Sequence, residues 1–423
     1  MDLVTASGPV RGTIPVPGSK SVANRALVCA ALADGESRLV GLPTGDDTEA
    51  MIEGLRRFGV RIDAIDRDRW SVHGSPIEGG VDVDARLAGT TSRFLTAVAA
   101  LGGRYTTVTG GEALRRRPMG QLHDALRSLG ADVESLDEVG CLPVRVRRAE
   151  LQGGAISMPG DVSSQFVSAL MLIGPYLPGG LEIRLTSPLV SRPYVAMTAS
   201  VMSNFGATGI VVADSFVSVE PSRYRGIEST IEPDASSASY PLAAAAITGG
   251  RVRVPGLRRD SWQGDVAIVD LLGTMGCRVS FDDHGADVEG GPLRGVDVDM
   301  SDVSDLVPTV AAVACFADSP TTISGVGFIR RKESDRIGDL VAGLNALGCR
   351  AEALADGLRI EPTDPSVHRG TRLSTHHDHR LAMAWSLLAL RITGVSIDDP
   401  TVVAKSWPTW WDVRSALLAS TSR

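Results

Sequence analysis

One helix-ending signal recurs along the chain as LRRFGVRI, LRSLGADV, MSNFGATGI, LGTMGCRV and LNALGCRA. Its glycines are Gly59, Gly130, Gly206, Gly276 and Gly348, spaced 70 to 76 residues apart. Each copy predicts an amphipathic helix closed by a C′ glycine and followed by a short β-branched strand. A second series runs in step with the first. It is made of small or polar residues that open an apolar, alanine-rich helix: SKSVANRALVCAALADG, AGTTSRFLTAVAALGG, SSQFVSALMLIGP, ASSASYPLAAAAITGG, DLVPTVAAVACFAD and HDHRLAMAWSLLAL. Marked at Lys20, Gly89, Ser163, Ser237, Asp305 and His379, these recur every 68 to 74 residues. Short alternating runs such as VDVDARL lie between them and read as strands. The chain thus divides into about six units, each of two helices and several strands. No such unit can bury its apolar faces alone, so several must pack together. With 423 residues, two domains of three units each are expected.

The helix starts carry an unusual charge pattern. Serines and threonines there are ordinary caps for free backbone N–H groups. Cations are disfavoured at that end of a helix, because its dipole is already positive. Yet Lys20, Arg25, Arg93, Arg336 and Arg380 all sit near such starts. In-register placement of this kind predicts a pocket for several anionic groups. A third series places the second helix of successive units near Asp47, Arg117, Tyr194, Asp265, Lys332 and Lys405. Pro118, after Arg117, suits a first helical position. IRRKESDRIGDL would set Lys332 and Arg336 four apart on one helical face, with Glu333 between them. A carboxylate amid such cations is favoured as an anion, and donates a proton only once bound anions offset those charges.

Bulk properties narrow the function classes. A net charge of −8 argues against a nucleic-acid-binding protein. The opening MDLVTASG lacks the basic and apolar regions of a secretion signal, and no apolar run approaches the ~18 residues of a membrane span. The five cysteines are odd in number and widely spaced, with no metal-type pair. A reduced, cytoplasmic compartment is expected, with no metal centre.

Taken together, PGSKSVANRALVCAALADG, LAGTTSR, RRRPMGQLHDALRSLGA, SSQFVSALMLIGP, LVSRPYVAMT, PDASSASYPLAAAAITGG, RRKESDRI, HDHRLAMA and AKSWPTWW resemble the 5-enolpyruvylshikimate-3-phosphate synthase family, in family order from about Val16 to Trp411. The resemblance implies a mixed α/β (α+β) enolpyruvyl transferase-like fold, an inside-out α/β barrel of three repeats in each of two domains. These would be residues 1–18 with 234–423, and 19–233, hinged around a cleft. It also implies transfer of the enolpyruvyl group of phosphoenolpyruvate to the 5-hydroxyl of shikimate 3-phosphate, with release of phosphate and without any cofactor. A monomer that engages neither membrane nor nucleic acid is expected.

Position by position, the resemblance gives Lys20, Ser21, Arg25, Ser163, Ser164, Gln165, Ser191, Tyr194, Asp305 and Lys332 to shikimate 3-phosphate. It gives Lys20, Gly89, Arg117, Gln165, Arg336, Arg380 and Lys405 to phosphoenolpyruvate. Asp305 would accept the hydroxyl proton, Glu333 would protonate the methylene carbon, and Lys20 would share in the catalysis. Seven of these side chains are cationic, against roughly five to six negative charges on the two substrates. Leu87, Phe94 and Phe328 depart from residues common in that family. The sister family that transfers the same group to UDP-N-acetylglucosamine usually carries a reactive cysteine in a loop where this chain has Glu112. A non-catalytic anion sensor of the same fold would lack one of the catalytic groups, and all are present.

Overall fold

The computed structural model describes residues 1–66 and 68–422. Each alanine-rich segment forms a helix: Lys20–Leu32, Gly89–Ala99, Ser164–Ile173, Ala235–Thr248, Val307–Ala314 and His379–Leu388. These helices are enclosed by protein. In Ala235–Thr248 every residue but Thr248 is buried, as expected of a helix that is apolar all round. Ser19, Ser163, Asp234 and Asp378 cap four of them, each side chain accepting from a first-turn backbone N–H.

The second helices are Asp46–Arg57, Gly120–Ser128, Arg192–Asn204, Ile268–Thr274, Arg336–Ala346 and Trp410–Ala419. The five recurring glycines follow the first five of these, with φ between +88° and +106°. This left-handed conformation lets the chain leave the helix at no steric cost only when the residue is glycine.

Four of these helices start later than the sequence suggests, and the one expected near Asp265 opens at Ile268, after the 3-10 turn Gly264–Ala267. Pro118 is not helical, and the helix begins at Gly120, because the Met119 N–H is drawn to the Gly140 carbonyl at 2.7 Å. Lys332 and Arg336 do not share a helical face either. Lys332 has φ −87° and ψ −135°, and Asp335 caps the helix that opens at Arg336 by accepting from the Gly338 N–H at 3.0 Å. Lys405 ends a short 3-10 turn, and the following helix begins only at Trp410, beyond Pro408.

Among the described residues there are five four-stranded sheets and one two-stranded sheet. The four-stranded sheets share one plan, seen in Asp82–Asp84, Thr106–Thr109, Val144–Arg148 and Ala131–Ser135. The first two strands are parallel and flank a buried helix in sequence, while the other two form an antiparallel hairpin. The sixth unit keeps only the parallel pair, Arg372–Leu373 with Ser396–Ile397, and residues 1–3 lie along its edge.

Two leading strands are exchanged. Arg11–Thr13, which precedes the Lys20 helix, pairs with Arg251–Pro255. Glu228–Thr230, which precedes the Ala235 helix, pairs with Glu36–Val40. Met1–Pro17 therefore forms one compact unit with Glu232–Arg423, and Gly18–Ile231 forms the other. No helix among the described residues is long and apolar enough to cross a membrane.

Asp398 pins the loop that leads into the His379 helix. Partial burial pushes its carboxyl up, but hydrogen bonds from Ser374, Thr375 and the Asp399 N–H outweigh that and bring it to about 2. A carboxyl lowered on folding stabilises above its unfolded pKa, and that stability is lost as pH falls through the folded value. Discounted for solvent screening, the effect is about 1 kcal/mol. Asp398→Asn is expected to melt about 2–4 °C below the parent at pH 6, with the two curves converging between pH 4 and pH 2. A constant difference down to pH 2 would contradict this account.

Candidate active site

The residues singled out in the sequence fall into two clusters, one in each unit. In Gly18–Ile231, Lys20 opens its helix and places Nζ 2.9 Å from Asp47 Oδ2. Arg25, one turn further on, is 1% exposed. Its Nε donates to Thr198 Oγ1 at 2.7 Å and its NH1 to the Ser21 carbonyl at 2.8 Å. Its NH2 donates to Ser168 Oγ and the Tyr194 carbonyl, both at 3.2 Å. Phe94, one of the departures from the family pattern, lies under this guanidinium at 5.3 Å. Burial lowers the Arg25 pKa to about 10, so the group stays charged at neutral pH. All four hydrogen-bond acceptors are neutral, and a buried cation in such surroundings favours an anion nearby.

The Gly89 helix begins beneath two guanidinium groups. A Cβ at Gly89 would meet Arg93 NH1 at 2.6 Å and Arg117 NH1 at 2.8 Å. Arg93 NH1 itself donates to the Gly89 carbonyl at 2.7 Å, which gives that cation a structural use the sequence did not suggest. Ser163 caps the next helix, with the Gln165 N–H 3.3 Å from its Oγ, and Ser164 is buried behind it. The buried Oε1 of Gln165 has no hydrogen-bond partner among the described residues. Ser191 precedes the Arg192 helix with φ +52°, a strained conformation for a residue with a side chain. Its carbonyl accepts from the Tyr194 N–H at 3.1 Å.

The other cluster lies within Glu232–Arg423. Asp305, on a 3-10 turn, accepts from Lys332 Nζ at 2.9 Å and Arg336 NH1 at 3.0 Å on Oδ1, and from Arg380 NH2 at 2.7 Å on Oδ2. Burial pushes this carboxyl up, but Arg380, Lys332 and Arg336 overcome it and hold it well below the usual carboxylate range. Arg336 also donates from NH2 to Glu333 Oε2 at 2.8 Å, and Lys405 Nζ lies 3.0 Å from Glu333 Oε1. Lys332 and Arg336 therefore converge on one carboxylate although no helix aligns them. Phe328, another departure, sets its ring 5.7 Å from Lys332 Nζ.

Sequence reasoning missed the role of Asp378, which is fully buried and pairs with Arg336 Nε at 2.7 Å. Burial disfavours the Arg336 charge, but Asp378, Glu333 and Asp305 more than restore it. Asp378 stands in the HDHR motif and doubles as the cap of the His379 helix. Its residue type signalled the cap alone. Four cations (Lys332, Arg336, Arg380 and Lys405) thus meet three carboxylates (Asp305, Glu333 and Asp378). Such a cluster can bind anions and present two carboxyl groups to a reaction between them.

Repeated helix-strand units in two domains, with cations gathered at buried helix starts, define the enolpyruvyl transferase class. The fold aligns with an EPSP synthase structure from Acinetobacter baumannii at a TM-score of 0.82 and 25% identity, over 98% of this chain and 97% of that one. The enolpyruvyl transferase NikO from Streptomyces tendae shares the fold, at a TM-score of 0.77 and 20% identity over 98% of this chain and 96% of that one. Within the class, the model of EPSP synthase (3-phosphoshikimate 1-carboxyvinyltransferase) matches residues 4–413. The 3-phosphoshikimate 1-carboxyvinyltransferase of Methanothermobacter thermautotrophicus is 42% identical over 96% of both chains. That of Methanosphaerula palustris is 40% identical over 97% of both. The chain belongs to the EPSP synthase family.

Proposed function

We propose that this protein transfers the enolpyruvyl group of phosphoenolpyruvate to the 5-hydroxyl of shikimate 3-phosphate and releases phosphate. The observation that carries the reading is the buried Arg336 guanidinium, which bridges Asp305 and Glu333. The reaction needs two proton-handling groups within one anion-binding centre, one for a hydroxyl and one for a methylene carbon.

In this assignment Glu333 gives a proton to the methylene carbon, which makes the neighbouring carbon electrophilic. Asp305 takes the hydroxyl proton, and the electron pair left on oxygen forms the new C–O bond. Loss of a methyl proton and departure of phosphate then restore the double bond. Arg336, Arg380 and Lys405 exchange part of their contacts with Asp305 and Glu333 for the incoming phosphate and carboxylate of phosphoenolpyruvate. Lys20 and Arg117 complete that set, with Gly89 leaving room for the substrate and Gln165 touching both substrates. Ser21, Arg25, Ser163, Ser164, Ser191 and Tyr194, with Asp305 and Lys332, receive shikimate 3-phosphate. We place the enzyme in the cytoplasm, acting as a monomer.

The direct test is phosphate release with each substrate alone and with both together. Release only with both, equimolar with the enolpyruvyl ether product, is expected. Tight binding of shikimate 3-phosphate with no turnover would make the chain a ligand sensor instead.

Gly89→Ala tests the phosphoenolpyruvate assignment. The added methyl meets the ends of two flexible side chains, so the guanidinium of Arg117 moves while the fold survives. Displacing one charge-assisted hydrogen bond raises the KM for phosphoenolpyruvate about 10- to 100-fold, with the KM for shikimate 3-phosphate nearly unchanged. Equal KM values for phosphoenolpyruvate in parent and variant would remove Gly89 and Arg117 from that subsite.

A further inference from the structure

Lys332 carries its charge on a long, flexible stem, and three neighbours hold the end of it. Nζ donates to Asp305 Oδ1 at 2.9 Å and to Ser304 Oγ at 3.2 Å. It also stands over the ring of Phe328, 5.7 Å from the centroid. The lysine side chain is 23% exposed, so water competes for it. Phe328 lies on the 3-10 turn Gly327–Arg331 and packs, partly buried, against the core of its unit. The ring is therefore fixed by packing, whereas the lysine has several rotatable bonds to settle.

We propose that Phe328 is a positioning residue for acceptor binding, its ring face holding the Lys332 ammonium beside Asp305 and Ser304 so that shikimate 3-phosphate meets an amine already in place. The proposal rests on the assignment of Lys332 to that substrate.

The chemistry of a ring suits this task. Its face carries the negative part of a quadrupole and attracts a cation within about 6 Å. It has no net charge and accepts no proton. A further carboxylate would also hold Lys332, but would cancel the charge that an anionic substrate needs. Holding the ammonium in advance raises the fraction of the free protein that is ready to bind, and so lowers the apparent Kd. The same pairing occurs at Arg25, also given to shikimate 3-phosphate, where the Phe94 ring lies 5.3 Å away. Phe94 and Phe328 both stand where the sequence departs from residues common in the family. Arg25 is buried and already fixed by hydrogen bonds to Thr198, Ser21, Ser168 and Tyr194. Lys332 is half-exposed and flexible, so its ring has more to do.

The test replaces Phe328 with mono-, di- and trifluorinated phenylalanine, which keep the shape of the ring while drawing negative charge from its face. The calorimetric Kd for shikimate 3-phosphate is expected to rise with each fluorine, by about two- to fivefold across the series. The KM for phosphoenolpyruvate should stay nearly constant. Phe328→Leu should bind as weakly as the trifluorinated protein, and Phe328→Trp, with the stronger face, at least as tightly as the parent. A role in packing alone would give no graded trend. Proton NMR of the unliganded protein gives a readout independent of substrate. The protons on Lys332 Cε and Nζ, shielded by the ring in the parent, should move downfield in Phe328→Leu.

A Kd that stays constant across the fluorinated series would overturn the proposal, even if Phe328→Leu binds more weakly. If the fluorinated proteins do not fold, a parental Kd in Phe328→Leu does the same. Should the parent not bind shikimate 3-phosphate at all, the functional reading fails. The NMR comparison then decides on Phe328 alone, and unmoved Lys332 protons in Phe328→Leu overturn it.

Discussion

Glu333→Gln is expected to lower kcat by about 10²- to 10⁴-fold while shikimate 3-phosphate binds with nearly its parental affinity. Gln has the shape of Glu and can still accept one of the two hydrogen bonds that Arg336 NH2 and Lys405 Nζ make to Glu333, at 2.8 and 3.0 Å. It cannot supply an acidic proton to a carbon atom. The loss should therefore appear in the chemical step. In deuterium oxide, exchange at the methylene of phosphoenolpyruvate should fall in parallel with turnover, because both begin with the same protonation. Binding of shikimate 3-phosphate by calorimetry should change by less than about threefold, since most of its assigned contacts lie in the Gly18–Ile231 unit. A variant that turns over within tenfold of the parent would take Glu333 out of its role. One that also loses shikimate 3-phosphate binding would mean that the residue organises the site.

The repeating architecture was legible because it is written in residues with few alternatives. The glycines at 59, 130, 206, 276 and 348 must adopt positive φ, and the alanine-rich helices are too apolar to lie anywhere but inside. The cationic helix starts were legible for the opposite reason, since they run against the helix dipole. Carboxylates were harder to read. Asp378 occupies a position where an aspartate is an ordinary cap, and only the fold shows it paired with Arg336. The cationic series predicts Arg93 for an anion site, and its NH1 also serves the carbonyl of its own helix. The register of Lys332 and Arg336 also escaped the sequence, because the Asp335 cap stops the helix one residue before Arg336. Their meeting at Asp305 depends on a turn some thirty residues earlier, which local periodicity cannot report.

Asp378→Ala should be the most destabilising single change in this cluster. The pair it breaks is the most deeply buried of the set, with the Arg336 side chain 1% exposed and Asp378 fully enclosed. Removing one partner of such a pair leaves the other charge undercompensated and costs about 3–5 kcal/mol. The same substitution strips the cap from the His379 helix, since Asp378 Oδ1 accepts the Arg380 N–H at 2.9 Å. Four cations would then face two carboxylates. At about 2–4 °C per kcal/mol for a unit of this size, the melting temperature should fall by about 10 °C or more. Asp378→Asn separates the two causes, because asparagine caps as well as aspartate but carries no charge. If the charge dominates, Asn behaves nearly as badly as Ala; if the cap dominates, Asn melts close to the parent. Saturating phosphoenolpyruvate should worsen neither variant, because its anions supply the charge that Arg336 has lost. A parent-like melting temperature for Asp378→Ala would mean that Glu333 and Asp305 suffice to hold Arg336, and that Asp378 adds nothing to the centre.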